Sequence, residues 1–217
     1  MKFPAIIFDL DGTLLDTLDD LAFSMNSALK KLGAPTYPAS DYRSFVGQGL
    51  EMLAKLVLPE NRRNATTVRQ CVVAMREVYA RRWAHATKPY TGVIAMLSSL
   101  RQAGVRCAVF SNKANDFTVR MVEHFFGEDT FEMVLGAGMF ASKPDPEGAL
   151  HIAAAMGIAP HGFLYIGDCD IDMKTAGRAG MYPVGVTWGF RSKEELLENG
   201  ARLIVDNTEE IITKALG

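Results

Sequence analysis

The sequence predicts an α/β fold: a Rossmann-like parallel sheet with helices on both faces, interrupted after its first strand by an all-helical domain. Three observations predict it. The chain opens on a short, apolar, isoleucine-rich segment that stops at Asp9-Leu10-Asp11-Gly12, as a buried strand does when it ends in a loop. Residues 17–86 carry apolar side chains at helical spacing and nowhere alternate like a strand. From Lys88 onward, helical runs alternate with apolar strand-like runs, the signature of βα units whose parallel sheet is covered on both faces.

The first strand is expected at Phe3 to Phe8. Thr17-Leu18-Asp19-Asp20 reads as a capping box with the shorter acid Asp20 in place of the usual Glu. Leu18, Leu21, Ala22, Met25, Leu29 and Leu32 continue that helix until Gly33 and Pro35 stop it. A second helix spans about Gly49 to Leu58, before Pro59. A third keeps Val68, Cys71, Val72, Met75, Tyr79 and Trp83 on one face through about His85. A helix from Gly92 to about Gln102 then leads through Gly104 to a strand at Val105–Phe110. Helix 115–126 precedes strand 131–135, helix 146–156 precedes strand 163–166, and helix 171–179 ends at Gly180 before strand 183–187. Strand-like Leu203-Ile204-Val205 and a last helix complete the chain. The first strand should join the later ones in one sheet, so residues 1–16 and 87–217 form an α/β domain and residues 17–86 a helical one.

Composition narrows the function. The chain has 217 residues, 48% of them hydrophobic and 22% charged, enough for a sizeable core and unlike a disordered segment. Lys and Arg number 23 against 25 Asp and Glu, a net charge of −2, so nothing draws the whole molecule to nucleic acid or an anionic membrane. No apolar run approaches the roughly 18 residues of a membrane span, and Asp9 and Asp11 interrupt the short run that a secretory signal would need. A cytoplasmic monomer or homodimer with a small-molecule partner is expected. Cys71, Cys107 and Cys169 are an odd set with no close pair, which excludes a disulfide framework or a CxxC site. Residues 17–86 hold 10 basic and 6 acidic residues, a net of +4, and the remainder a net of −6. That basic excess is either a solvated helix face or an attraction for an anionic substrate.

Open parallel sheets bind ligands beyond the carboxyl ends of their strands. Four loops at that edge carry chemistry: Asp9-Leu10-Asp11-Gly12-Thr13, Ser111-Asn112, Lys143-Pro144, and Gly167-Asp168 with Asp170 and Asp172. Singly, each is bland; Asp11-Gly12 is a turn signal, and acids after Asp168 suit a helix N-terminus. Together they are chemically coherent. Crowded carboxylates repel unless a cation is present, and Mg2+ takes one or two carboxylates, waters and a phosphate oxygen. Mg2+ and Lys143 would keep Asp9 ionised as a nucleophile able to form an aspartyl phosphate. Ser111 and backbone amides would hold the phosphoryl oxygens, and Asp11 would protonate the leaving alkoxide and then activate water.

These segments resemble the four ordered motifs of the haloacid dehalogenase superfamily of phosphohydrolases. The resemblance covers essentially the whole chain, and the helical insertion resembles that family's mobile cap. Within it, Asp9 to Thr17, Phe45-Val46-Gly47-Gln48-Gly49, Ser111-Asn112-Lys113 and Lys143-Pro144-Asp145-Pro146 are most similar to the phosphoglycolate phosphatase-like branch. The resemblance implies that Asp9 is nucleophile and Mg2+ ligand, and that Asp11 is the general acid/base with its backbone carbonyl on the metal. It implies that Ser111, helped by Asn112, binds the phosphoryl group, that Lys143 balances charge, and that Asp168 completes the metal site. Asp172 would act nearby through metal-bound water. Cys169 stands where that family frequently has Ser or Thr and is expected to serve packing. His85, His124, His151 and His161 match no metal-ligand spacing.

Gly47 and Gly49 either break two helices or turn the backbone toward the leaving group, with Arg43 as a surface charge or as a binder of a second anionic group. The expected activity is Mg2+-dependent hydrolysis of a small phosphomonoester, such as 2-phosphoglycolate or a sugar phosphate. The alternatives are a phosphomutase of the β-phosphoglucomutase type and a phospho-accepting signalling module; the insertion and Asp11 count against the latter.

Overall fold

The computed structural model, which describes residues 2–217, divides into two compact units: residues 2–15 with 89–217, and Asp16–Lys88. Strand β1 (Ala5–Phe8) leads to the short β2 (Leu15–Asp16), where the chain leaves the first unit. The second unit is built of α1 (Leu18–Lys31), the one-turn α2 (Tyr42–Phe45), α3 (Leu50–Val57) and α4 (Ala65–Tyr79), with 3-10 turns at Ala39–Asp41 and Glu60–Arg62. The chain returns through β3 (Lys88–Pro89), which pairs with β2. It continues as α5 (Val93–Gln102), β4 (Arg106–Ala114), α6 (Asn115–Phe126), β5 (Met133–Ala137) and α7 (Glu147–Ala155). Then come β6 (Phe163–Gly167), α8 (Asp170–Ala179), β7 (Tyr182–Val186), α9 (Lys193–Glu198), β8 (Leu203–Val205) and α10 (Thr208–Leu216).

The main sheet runs β5-β4-β1-β6-β7-β8, every neighbouring pair parallel. Ala5, Ile6, Ile7 and Phe8 of the central strand are wholly buried, which a strand achieves only when both faces of its sheet are covered. Alternate residues Ala5, Ile7, Ala108, Phe110, Phe163 and Tyr165 pack with Ile152, Ala153 and Met156 of the α7 segment and with Ala176 and Ala179 of α8. Their neighbours Ile6, Phe8, Val109, Leu164 and Ile166 point to the other face. The strand order reverses at β1, with β4 on one side and β6 on the other. The crevice expected at such a switch point lies beyond the carboxyl end of β1, where the Asp9 amide makes the last ladder bond, to the Ile166 carbonyl at 2.9 Å.

Helix ends follow their caps: Asn64, Ser192 and Asn207 accept from the amides of Thr67, Glu195 and Glu210. The capping box expected at Thr17 does not form; Thr17 makes no side-chain cap bond. Asp20 is committed elsewhere. Its Oδ2 accepts from the Ala86 and Thr87 amides at 2.8 Å each and from the Thr87 hydroxyl at 2.9 Å, and Oδ1 pairs with Arg82 at 3.3 Å. Three donors on the returning chain outcompete the helix's own end for a wholly buried carboxylate. β4 also runs past its expected end at Phe110, so Ser111 and Asn112 lie within the strand rather than in a following loop. The short α9 and the β2–β3 pair carry too little periodicity to announce themselves.

Candidate active site

Asp9 and Asp11 leave β1 two residues apart and are drawn to different lysines. Asp9 Oδ1 lies 2.8 Å from Lys143 Nζ, which also donates to Asp172 Oδ1 at 2.7 Å. Asp11 instead pairs through both oxygens with Lys113 Nζ, at 3.0 and 3.2 Å. Lys143 is buried, and so are Asp9 and Asp172. The remaining oxygen of Asp172 accepts from the Cys169 amide at 3.3 Å and the Cys169 thiol at 2.9 Å. Cys169 therefore does more than pack: it caps α8 in the place of a hydroxyl residue and helps fix Asp172.

Asp168 follows β6 and is held at both ends. The Thr13 hydroxyl donates to Oδ1 at 3.1 Å and the Phe190 amide to Oδ2 at 2.8 Å. Two glycines make room for its carboxylate: a Cβ on Gly12 (φ 89°) or on Gly189 would collide with it. The Trp188 indole donates to the Thr13 carbonyl at 3.0 Å, tying the loop after β7 to the loop after β1. Sequence reasoning missed this Trp188-Gly189-Phe190 loop; its signal was a glycine between two aromatics just beyond a strand of the same sheet edge.

The Ser111-Asn112-Lys113 stretch is a bulge. β4 pairs with β5 through Phe110 and Leu135, loses register, and resumes at Ala114 and Ala137. Such irregularities re-aim side chains next to active sites. Ser111 is buried and its hydroxyl accepts from the Lys113 amide at 3.2 Å. Asn112, expected to help hold a phosphoryl group, uses its amide to frame Lys143: Nδ2 donates to the Lys143 carbonyl at 3.1 Å, and the Lys143 amide donates to Oδ1 at 2.8 Å. Lys113 was legible only as part of a motif, with no task assigned.

Burial and then the Asp172 carboxylate push the Asp9 carboxyl up to about 7, against the pull of Lys143. Burial, Asp172 and Asp9 push Asp168 well above the ordinary carboxylate range. Burial would lower Lys143, but Asp172 and Asp9 outweigh it and hold the ammonium well above its usual value. One oxygen each from Asp9, Asp168 and Asp172 and the Cys169 sulfur lie within 4.8 Å of one another. The buried Asp9 Oδ1 has no hydrogen-bond partner beside its ion pair. Asp11 pairs with Lys113, Asp9 and Asp172 share Lys143, and Asp168 has no ammonium among its hydrogen-bond partners, so four carboxylates against two ammoniums leave a surplus of two negative charges when all are ionised. A hard divalent cation matches both that surplus and the oxygen donors, so these residues fit Mg2+.

Arg43, Gly47 and Gly49 lie in the helical unit, on α2 and on the turn between α2 and α3, with the Arg43 side chain exposed. Among the described residues no helix is long and apolar enough to cross a membrane.

A family model for haloacid dehalogenase-like hydrolases matches residues 6–186. The chain belongs to that family. The phosphoglycolate phosphatase of Nitrosospira multiformis is 33% identical, over 97% of this chain and 96% of that protein. That of Thiobacillus denitrificans is 30% identical, over 99% and 98%. Among solved structures, a provisionally assigned phosphoglycolate phosphatase from Lactobacillus delbrueckii subsp. bulgaricus superposes with a TM-score of 0.94 at 31% identity, each chain covered completely. This haloacid dehalogenase-like hydrolase thus shares its full length with phosphatases of one branch.

Proposed function

We propose that this hydrolase is a Mg2+-dependent phosphatase that cleaves small phosphomonoesters, 2-phosphoglycolate foremost, through an aspartyl phosphate on Asp9. The observation that carries the reading is the buried Lys143 set between Asp9 and Asp172, with Asp168 in the same cluster. Full-length similarity to proteins named phosphoglycolate phosphatase supports the substrate class.

Asp9 attacks phosphorus while Asp11 gives a proton to the departing alkoxide; Asp11 then takes a proton from the water that opens the acyl phosphate. Lys143 offsets the charge of Asp9 and of the incoming phosphate, and Ser111 offers its hydroxyl to the phosphoryl group. Asn112 and Asp172 are positioning residues for Lys143. Asp9, Asp168 and the Asp11 carbonyl would hold Mg2+, which when bound supplies charge neutralisation at the phosphoryl oxygens. The helical unit, with Arg43, Gly47 and Gly49, would serve as the cap that selects the leaving group.

The test is a screen of phosphate esters with and without Mg2+, reading inorganic phosphate. The expected result is Mg2+-dependent release with 2-phosphoglycolate among the best substrates. No phosphate from any ester in the presence of Mg2+ would overturn the proposal.

A further inference from the structure

The β4 bulge aims three consecutive side chains at three different tasks, and only the third lacks an assigned one. Ser111 faces the Lys113 amide, Asn112 frames Lys143, and Lys113 reaches across 102 positions of sequence to grip both oxygens of Asp11. The grip is sheltered: the Lys113 side chain is 6% exposed and that of Asp11 13%. It is also pinned from behind, since the Thr118 hydroxyl donates to the Lys113 carbonyl at 3.1 Å and the Gly136 amide donates to Asn115 Oδ1 at 2.8 Å, closing β5 against the bulge. A bidentate ammonium–carboxylate pair in a partly desolvated place fixes a rotamer that a solvated Asp would leave free. Two carboxylates two residues apart would otherwise compete for the same cations; separate lysines keep their positions, and so their tasks, apart.

We propose that Lys113 is a positioning residue that holds the Asp11 carboxylate at the place from which it serves the leaving group. This rests on the reading of Asp11 as acid/base. Lys113 then matters most where the departing oxygen needs a proton: an alkoxide does, whereas 4-nitrophenolate leaves without one. General acid catalysis supplies about 10²–10⁴-fold, so a misplaced Asp11 should cost alkyl esters a large part of that range.

The experiment compares kcat/KM for 2-phosphoglycolate and for 4-nitrophenyl phosphate in the wild type, Lys113→Met, Lys113→Arg, Asp11→Asn and the Asp11→Asn, Lys113→Met double variant, with Mg2+. The expected result is that Lys113→Met loses at least about ten-fold more on the alkyl than on the aryl ester. Lys113→Arg, which keeps the charge and two donors, recovers most of the difference, and Lys113→Met adds less than about two-fold to Asp11→Asn, as coupled neighbours do. Equal losses on both esters, or multiplied losses in the double variant, would overturn the proposal by showing that Lys113 acts on substrate or fold directly. Should Lys113→Met fail to fold, Lys113→Gln carries the same expectation. Alkyl-ester turnover unharmed by Asp11→Asn alone would sink the acid/base reading itself, a result distinguishable from those above.

Discussion

Replacing Asp9 by Asn should destroy the reaction and yet strengthen the metal-free fold. In the folded protein, burial and Asp172 raise the Asp9 carboxyl from 3.8 to about 7. The folded state therefore holds this proton more tightly than the unfolded chain. The Asp9 contribution to metal-free stability falls as pH rises from about 4 to about 7, and its full penalty persists above that window. Each pH unit of separation is worth about 1.4 kcal/mol, so ionising Asp9 without a metal ion, even beside Lys143, costs about 4 kcal/mol. Asp9→Asn removes the charge at nearly constant volume and also relieves Asp168 of a repelling neighbour. Urea unfolding with a chelator present should show the variant about 2–4 kcal/mol more stable than wild type at pH 8, and the gap should close toward pH 4. Saturating Mg2+ should narrow it at pH 8 by stabilising the wild type. A variant no more stable than wild type at pH 8 without metal would refute the electrostatic account of this cluster.

Lys143→Met leaves Asp9 and Asp172 buried against each other without their ammonium, so it should abolish turnover and cost about 3–5 kcal/mol in urea unfolding near pH 8. Asp20→Ala strips three hydrogen bonds from the returning chain at Ala86 and Thr87; a loss of about 3 kcal/mol is expected in thermal or urea unfolding. Gly12→Ala sets a methyl group against the Asp168 carboxylate at a φ of 89°, so calorimetric titration should show clearly weakened Mg2+ binding while circular dichroism stays native.

The strands, most helices and the four chemical clusters were legible because they rest on local rules: apolar period, caps, and polar residues just beyond apolar runs. What was not legible is pairing across distance. Asp20 looked like half of a local capping box, and only the fold brings Ala86 and Thr87 to it. Asn112 read as help for Ser111 at a phosphoryl group, and its two bonds to the backbone of Lys143, 31 residues on, could not be read from the sequence. The Lys113 pair with Asp11 and the Phe190 amide on Asp168 depend on the same sheet edge closing. Cys169 read as a packing residue, and only the structure shows it at the start of α8 with its thiol donating to Asp172.

The claim beneath all of this is that Asp9 carries the phosphoryl group. Rapid acid quenching of the protein during turnover of radiolabelled phosphate ester, followed by peptide mapping, reads it directly. The account predicts label on the Asp9 peptide, released by hydroxylamine and missing in Asp9→Asn. Brisk turnover with label on another residue, or unchanged turnover in Asp9→Asn, would contradict it.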